Sequence, residues 1–214
     1  MSRGTLKLFA ILAMVGNHIA QLFLVPDSIS YHLFLTLGYV TAPLMCAFLS
    51  DGFTYTRDRK RYFLRLVLFA LVSELPFYFA FGHGGNMGIT LALSFLALLA
   101  WEKGRKDVSL LAILATGWSD WSFLAPVFMI MIHQAERKRK QEALAFGAGT
   151  FLFALICLAN GESPLHTIGF LLAGILRVAG YNGEKGNVPG WLFYGFYPVH
   201  LFLLAWIARW PGIS

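Results

Sequence analysis

Residues 62–81 read YFLRLVLFALVSELPFYFAF, an apolar run interrupted by only two charged residues, Arg65 and Glu74. A helix rising about 1.5 Å per residue needs roughly 20 such residues to cross the hydrocarbon layer. Only a helix suits that crossing here, because every backbone amide and carbonyl must find its partner inside the segment. Working outward from this stretch, comparable runs recur at Leu6–Leu24, Tyr31–Gly52, Met87–Trp101, Val108–Gly117, Trp121–His133, Glu142–Leu158, Leu165–Gly180 and Trp191–Trp210. With Tyr62–Phe81 they predict an all-α, polytopic helical membrane bundle of about nine transmembrane segments, forming one domain over residues 1–214. The runs at 108–117 and 121–133 are short, and read either as tilted crossings or as one re-entrant hairpin. Both return the chain to the same face.

Composition agrees. Of 214 residues, 57% are hydrophobic and 13% charged, against about 25% charged in a soluble domain, so the charges are too few to clothe a water-facing surface. The net charge of +6 does not indicate nucleic acid, because the basic residues sit in short clusters between apolar runs, as membrane loops have them. One set of loops holds Arg3, Arg57-Asp58-Arg59-Lys60-Arg61, Lys103-Gly104-Arg105-Lys106, Arg137-Lys138-Arg139-Lys140 and Lys185. The alternate loops hold Asp27, Gly82-His83-Gly84-Gly85, Asp120 and Glu162 without a Lys or Arg, and only Arg209 falls on their side. The asymmetry places the N-terminus and the basic loops in the cytosol. The first run lacks a small-x-small cleavage site and carries Asn17, His18 and Gln21, so it reads as a retained helix and not a signal peptide. Cys46 and Cys157 both lie in apolar runs and read as small core residues.

Ionisable groups inside the spans carry the functional signal, since each costs about 2.5–3.5 kcal/mol at mid-membrane even on the lenient insertion scale. His18 lies about one turn beyond the centre of the first span, and Asn17 and Gln21 share a face. Glu74 lies about one turn past the centre of the third span, just before Pro76, and His200 lies near the centre of the ninth, three residues after Tyr197. Three ionisable groups from three helices thus fall at nearly one depth, where a His and a Glu can serve as a general base and its orienter. A core histidine bonded to a carbonyl, and a structural glutamate, are the bland alternatives. At the cytosolic edge Asp51, Arg57, Arg59, Lys60, Arg61 and Arg65 cluster; topogenic charge explains most of them, while Arg57 and Arg65 suit an anion such as a lipid headgroup or the phosphates of coenzyme A. Asn86 and Thr90 open the fourth span on the outer side, after a tight Gly84-Gly85 turn. No zinc-ligand spacing, phosphate loop or nucleophile elbow occurs, so no metal is expected.

The segments KLFAILAMVGNHI (Lys7–Ile19), DGFTYTRDRKRYFLRLVLFALVSELPF (Asp51–Phe77), NMGITL (Asn86–Leu91) and WLFYGFYPVHL (Trp191–Leu201) resemble the TraX family of bacterial membrane proteins, associated with N-acetylation of conjugative pilin. Residues 104–180 match it only in hydropathy. The family is distantly similar to membrane acyltransferases that draw on cytosolic acyl-CoA and typically carry an Asp-His pair in the first helix; the Asp position here is Asn17. The resemblance implies a multi-pass protein of the bacterial inner membrane with acetyl-CoA as cosubstrate. On that reading Arg57, Arg65, Tyr62, Asp51 and Asn17 bind the cosubstrate. His18 is the general base, helped by Glu74 or His200, and Asn86, Thr90 and Tyr197 shape the acceptor side. A pilin N-terminus, a glycan, a lipid headgroup or a small amine is the acceptor. Membrane lipids and acyl-CoA are the expected partners, nucleic acid is not, and the oligomeric state is open. A small-molecule transporter or a non-catalytic assembly factor is the rival reading.

Overall fold

A computed structural model describes residues 1–26, 28–189 and 191–210; Asp27 of the first outer loop lies outside them. The described residues form helices and turns, with no strand among them. The helices are α1 (Arg3–Phe23), α2 (Ile29–Gly38), α3 (Thr41–Tyr55), α4 (Arg59–Phe81), α5 (Met87–Glu102), α6 (Lys106–Leu114), α7 (Leu124–Gln134), α8 (Arg139–Ala159), α9 (Thr167–Ile175) and α10 (Trp191–Ala208). Among the described residues, five stretches are long and apolar enough to cross a membrane: α1, α2 with α3 (Ile29–Tyr55), α4, α8 and α10. Shorter apolar stretches are α5, α7 and residues Pro164–Gly180, where a π-helical turn, Leu176–Gly180, extends α9.

Two expectations need adjustment. The run Tyr31–Gly52 is two helices, broken at Tyr39–Val40. The short fifth and sixth runs become α6, nine residues continued by the 3-10 turn Ala115–Trp118, and α7, eleven residues. At 1.5 Å per residue α6 and α7 reach only about 14 and 16 Å, so neither spans a bilayer by its own length.

The core lies where α3, α5, α7, α8 and α9 meet. Phe53, Phe95, Phe128, Phe146 and Phe170 are fully buried there, and Phe128 packs edge-on against Phe146 and Phe170. α1 lies against α2 and α3 on one flank, and α4 against α5 and α10 on another. Gly38 permits the α1–α2 approach, because a Cβ there would come within 2.2 Å of the Asn17 Cβ. The outward faces of α4 and α10 expose Leu64, Leu68, Leu71, Leu75, Phe202, Leu203 and Trp206. Apolar strips of this extent have no place in water; with the long apolar helices they make this a membrane protein.

Basic side chains gather at one end of the bundle, here the basic end. There Arg177 is 3% exposed and bridges three helices. It donates to both Asp51 oxygens, at 2.8 and 3.0 Å, and to Glu142 Oε1 at 2.9 Å, with Arg137 Nε 3.8 Å from Asp51. Two buried carboxylates require such paired donors.

Candidate functional site

Two cavities of about 520 and 530 Å³ enter the bundle. The one away from the basic end is lined by polar side chains from separate elements, among them Asn17, His18, Gln21, His32, Glu162 and His166. At its floor His18 Nδ1 lies 2.8 Å from His200 Nε2, the rings stacked with centroids 5.0 Å apart. His200 Nδ1 lies 2.9 Å from the Phe196 carbonyl oxygen, one turn back on α10. That carbonyl can only accept, so His200 Nδ1 carries a hydrogen. In a neutral ring its Nε2 is then the acceptor, and His18 Nδ1–H donates to it. His18 Nε2 keeps its lone pair, on a side chain that lines the cavity. Tyr197 stands beside the pair, its ring 6.1 Å from that of His18 and 5.7 Å from that of His200, and its buried hydroxyl has no well-formed hydrogen bond among the described residues.

The second cavity opens at the basic end. Arg3, Lys7, Tyr62 and Arg65 line it with an apolar interior that includes Phe48, Leu49, Phe69 and Tyr194. Gly52 leaves space for the Tyr62 hydroxyl, which a Cβ would meet at 2.4 Å, and Arg65 lies 5.3 Å over the Tyr62 ring. The cavities nearly meet. Phe69 belongs to the basic one and Tyr197 to the histidine one, and their ring centroids are 5.4 Å apart.

Comparison with known proteins supplies the lineage. A model of the family described as TraX protein matches residues 2–208. The chain belongs to the TraX family. It is 33% identical to the probable fimbrial assembly protein FimC, serogroup H1, of Dichelobacter nodosus, over 93% of this chain and 92% of that one. No solved structure matches it.

Of the TraX-like segments, the first and last supply the histidine pair, and the second supplies Tyr62 and Arg65 of the basic cavity. Several expected site residues fall elsewhere. Glu74 does not join the histidines: its carboxylate accepts the Gly85 amide at 2.8 Å, the Asn86 amide at 3.3 Å and the Asn86 side-chain amide, pinning the turn into α5. Asn86 is fully buried, donates also to the Ala70 carbonyl at 2.9 Å and caps α5 through Gly88. Thr90 is fully buried and donates to Ser119 and to the Asp120 carbonyl, so neither Asn86 nor Thr90 lines the histidine cavity. Asp51 is claimed by Arg177 and does not line the basic cavity. Asn17 lines the histidine cavity, at the opposite end from the cosubstrate position expected for it, and pairs with Gln21 and the Leu35 carbonyl instead of His18. Arg57 is exposed in the α3–α4 turn, outside the lining of the basic cavity. Conversely, Lys7 has no sequence signal beyond a cation at the start of an apolar run. Arg177 carries the signal that singles out Arg65, a guanidinium inside an apolar run, yet it is not among the residues expected from the sequence.

Proposed function

We propose that this protein is a multi-pass acetyltransferase of the bacterial inner membrane, moving an acetyl group from cytosolic acetyl-CoA to an amine or hydroxyl presented at the other face. The N-terminus and the basic end face the cytosol, following the loop charges, and of about nine membrane segments α6 and α7 form a hairpin that returns to the cytosolic face without crossing.

The observation that carries the reading is the pair of cavities separated by Phe69 and Tyr197, with the lone pair of His18 on the far side. Arg3, Lys7 and Arg65 offer the phosphates of coenzyme A three cations in a cavity of about 530 Å³ whose apolar lining would lead a pantetheine arm toward Phe69. The acceptor enters the histidine cavity. Its nitrogen or oxygen attacks the thioester carbonyl while His18 Nε2 takes the proton. The imidazolium keeps its Nδ1–H on His200, then returns a proton to the departing thiolate as the carbon–sulfur bond breaks. A fimbrial subunit's amino terminus suits the acceptor role, since a relative sharing a third of the sequence is named for fimbrial assembly.

Transfer from radiolabelled acetyl-CoA by detergent-purified protein tests this. His18→Ala is expected to lose at least about 100-fold in rate, the usual scale for a removed general base, with its unfolding profile retained. Full transfer by that variant overturns the role of His18.

A further inference from the structure

We propose that Cys157, Glu162 and His166 bind one borderline-soft divalent cation, zinc being the type, in the wall of the histidine cavity. The inference is independent of the transfer reaction.

The three residues are brought together by the end of α8. Gly161 takes the left-handed conformation at φ +71°, and the Glu162 amide donates back to the Cys157 carbonyl at 2.8 Å. This backward bond closes the helix and folds Glu162 over Cys157. The next turn, Pro164–His166, sets His166 beside both. One donor atom from each side chain then lies within 4.8 Å of the others. Zinc bonds of about 2.0–2.3 Å place tetrahedral ligands roughly 3.3–3.7 Å apart, so a shift of about 1 Å, within reach of the half-exposed Glu162, closes the set.

A second observation points to a missing partner. His166 is 4% exposed, and its Nδ1 is buried without a hydrogen bond among the described residues. Glu162 Oε2 lies 3.7 Å from it, within ion-pair reach but long for a hydrogen bond. Buried polar atoms are rarely left so. On the other side of the ring, Nε2 lies 3.2 Å from His32 Nδ1. Donation from His166 Nε2–H to His32 bares the Nδ1 lone pair toward Cys157 and Glu162, the arrangement in which a metal-bound histidine is oriented by a partner on its other nitrogen. A thiolate, an imidazole and a carboxylate suit zinc and exclude calcium or magnesium, which take oxygen ligands. Because Glu162 and His166 line the cavity, the fourth coordination position faces it, open to water or to an oxygen of the molecule bound there. A search by spacing overlooks C-x4-E-x3-H, since it joins a helix end to a 3-10 turn.

The test uses full-length, detergent-purified protein stripped by chelator. Zinc titration followed by elemental analysis is expected to give one zinc per chain. Affinity should fall more than about 10-fold in His166→Ala and roughly 10-fold in His32→Ala, the scale for an orienting partner. The Cys46→Ser protein, whose sole thiol is Cys157, is expected to show a cobalt–thiolate charge-transfer band when loaded with Co²⁺. That spectrum needs no substitution at the site, so it decides even where His166→Ala fails to fold. Absence of the band, or zinc binding unchanged by His166→Ala in folded protein, overturns the proposal.

Discussion

At the residue scale, the histidine pair derives its direction from one carbonyl. Phe196 O fixes a hydrogen on His200 Nδ1, and every later assignment follows, ending with an unprotonated Nε2 on His18. On the proposed reaction His200 is therefore a positioning residue. His200→Ala should lower kcat by up to about 100-fold, the cost of a base held in the wrong place or tautomer, while the KM for acetyl-CoA stays unchanged. His200→Gln, whose amide oxygen can accept from His18 Nδ1–H, should recover part of the loss; equal loss in both variants would refute the positioning role. The depth of these histidines was legible in the sequence, because depth follows from residue count along a span. The direction each side chain faces was not. Glu74 faces Asn86, since its carboxylate satisfies three donors of the turn that starts α5, a demand visible only once α4 and α5 are packed.

At the element scale, apolar length predicted α1, α4, α8 and α10 closely, because a lipid-facing helix has little besides length and hydropathy to specify it. It missed the break between α2 and α3, because Tyr39 and Val40 are as apolar as their neighbours and hydropathy does not register Gly38 at the end of α2 or Pro43 in the first turn of α3. The end of α9 is likewise poorly read: it runs into a π-helical turn that delivers Arg177 to carboxylates on α3 and α8. Breaking that cluster strands two buried anions. Arg177→Met should destabilise the fold by about 3–5 kcal/mol, measured by the midpoint of unfolding in mixed detergent and dodecyl sulfate. Adding Asp51→Asn and Glu142→Gln should restore much of it by removing the stranded charges. An unshifted midpoint for Arg177→Met would mean that the cluster does not hold α3, α8 and α9 together.

For the whole molecule, loop charge and the TraX-like segments indicated two working ends, and the chain has a cavity at each. Arg65 lines the basic cavity and Arg57 does not, so Arg65→Ala should raise the KM for acetyl-CoA roughly tenfold, the effect of one charged hydrogen bond to phosphate, with little change in kcat. Arg57→Ala should do much less. Steady-state kinetics on both variants separates a lining cation from a merely topogenic one.

The two rings that stand between the cavities also act as a plug. With Phe69 and Tyr197 5.4 Å apart between the two cavities, their contact is expected to keep the bilayer tight to small ions. Phe69→Ala would open a wet passage there, and vesicles carrying that variant should dissipate an imposed pH gradient faster than vesicles carrying the parent protein. If they hold the gradient equally well, the insulating layer lies elsewhere in the bundle.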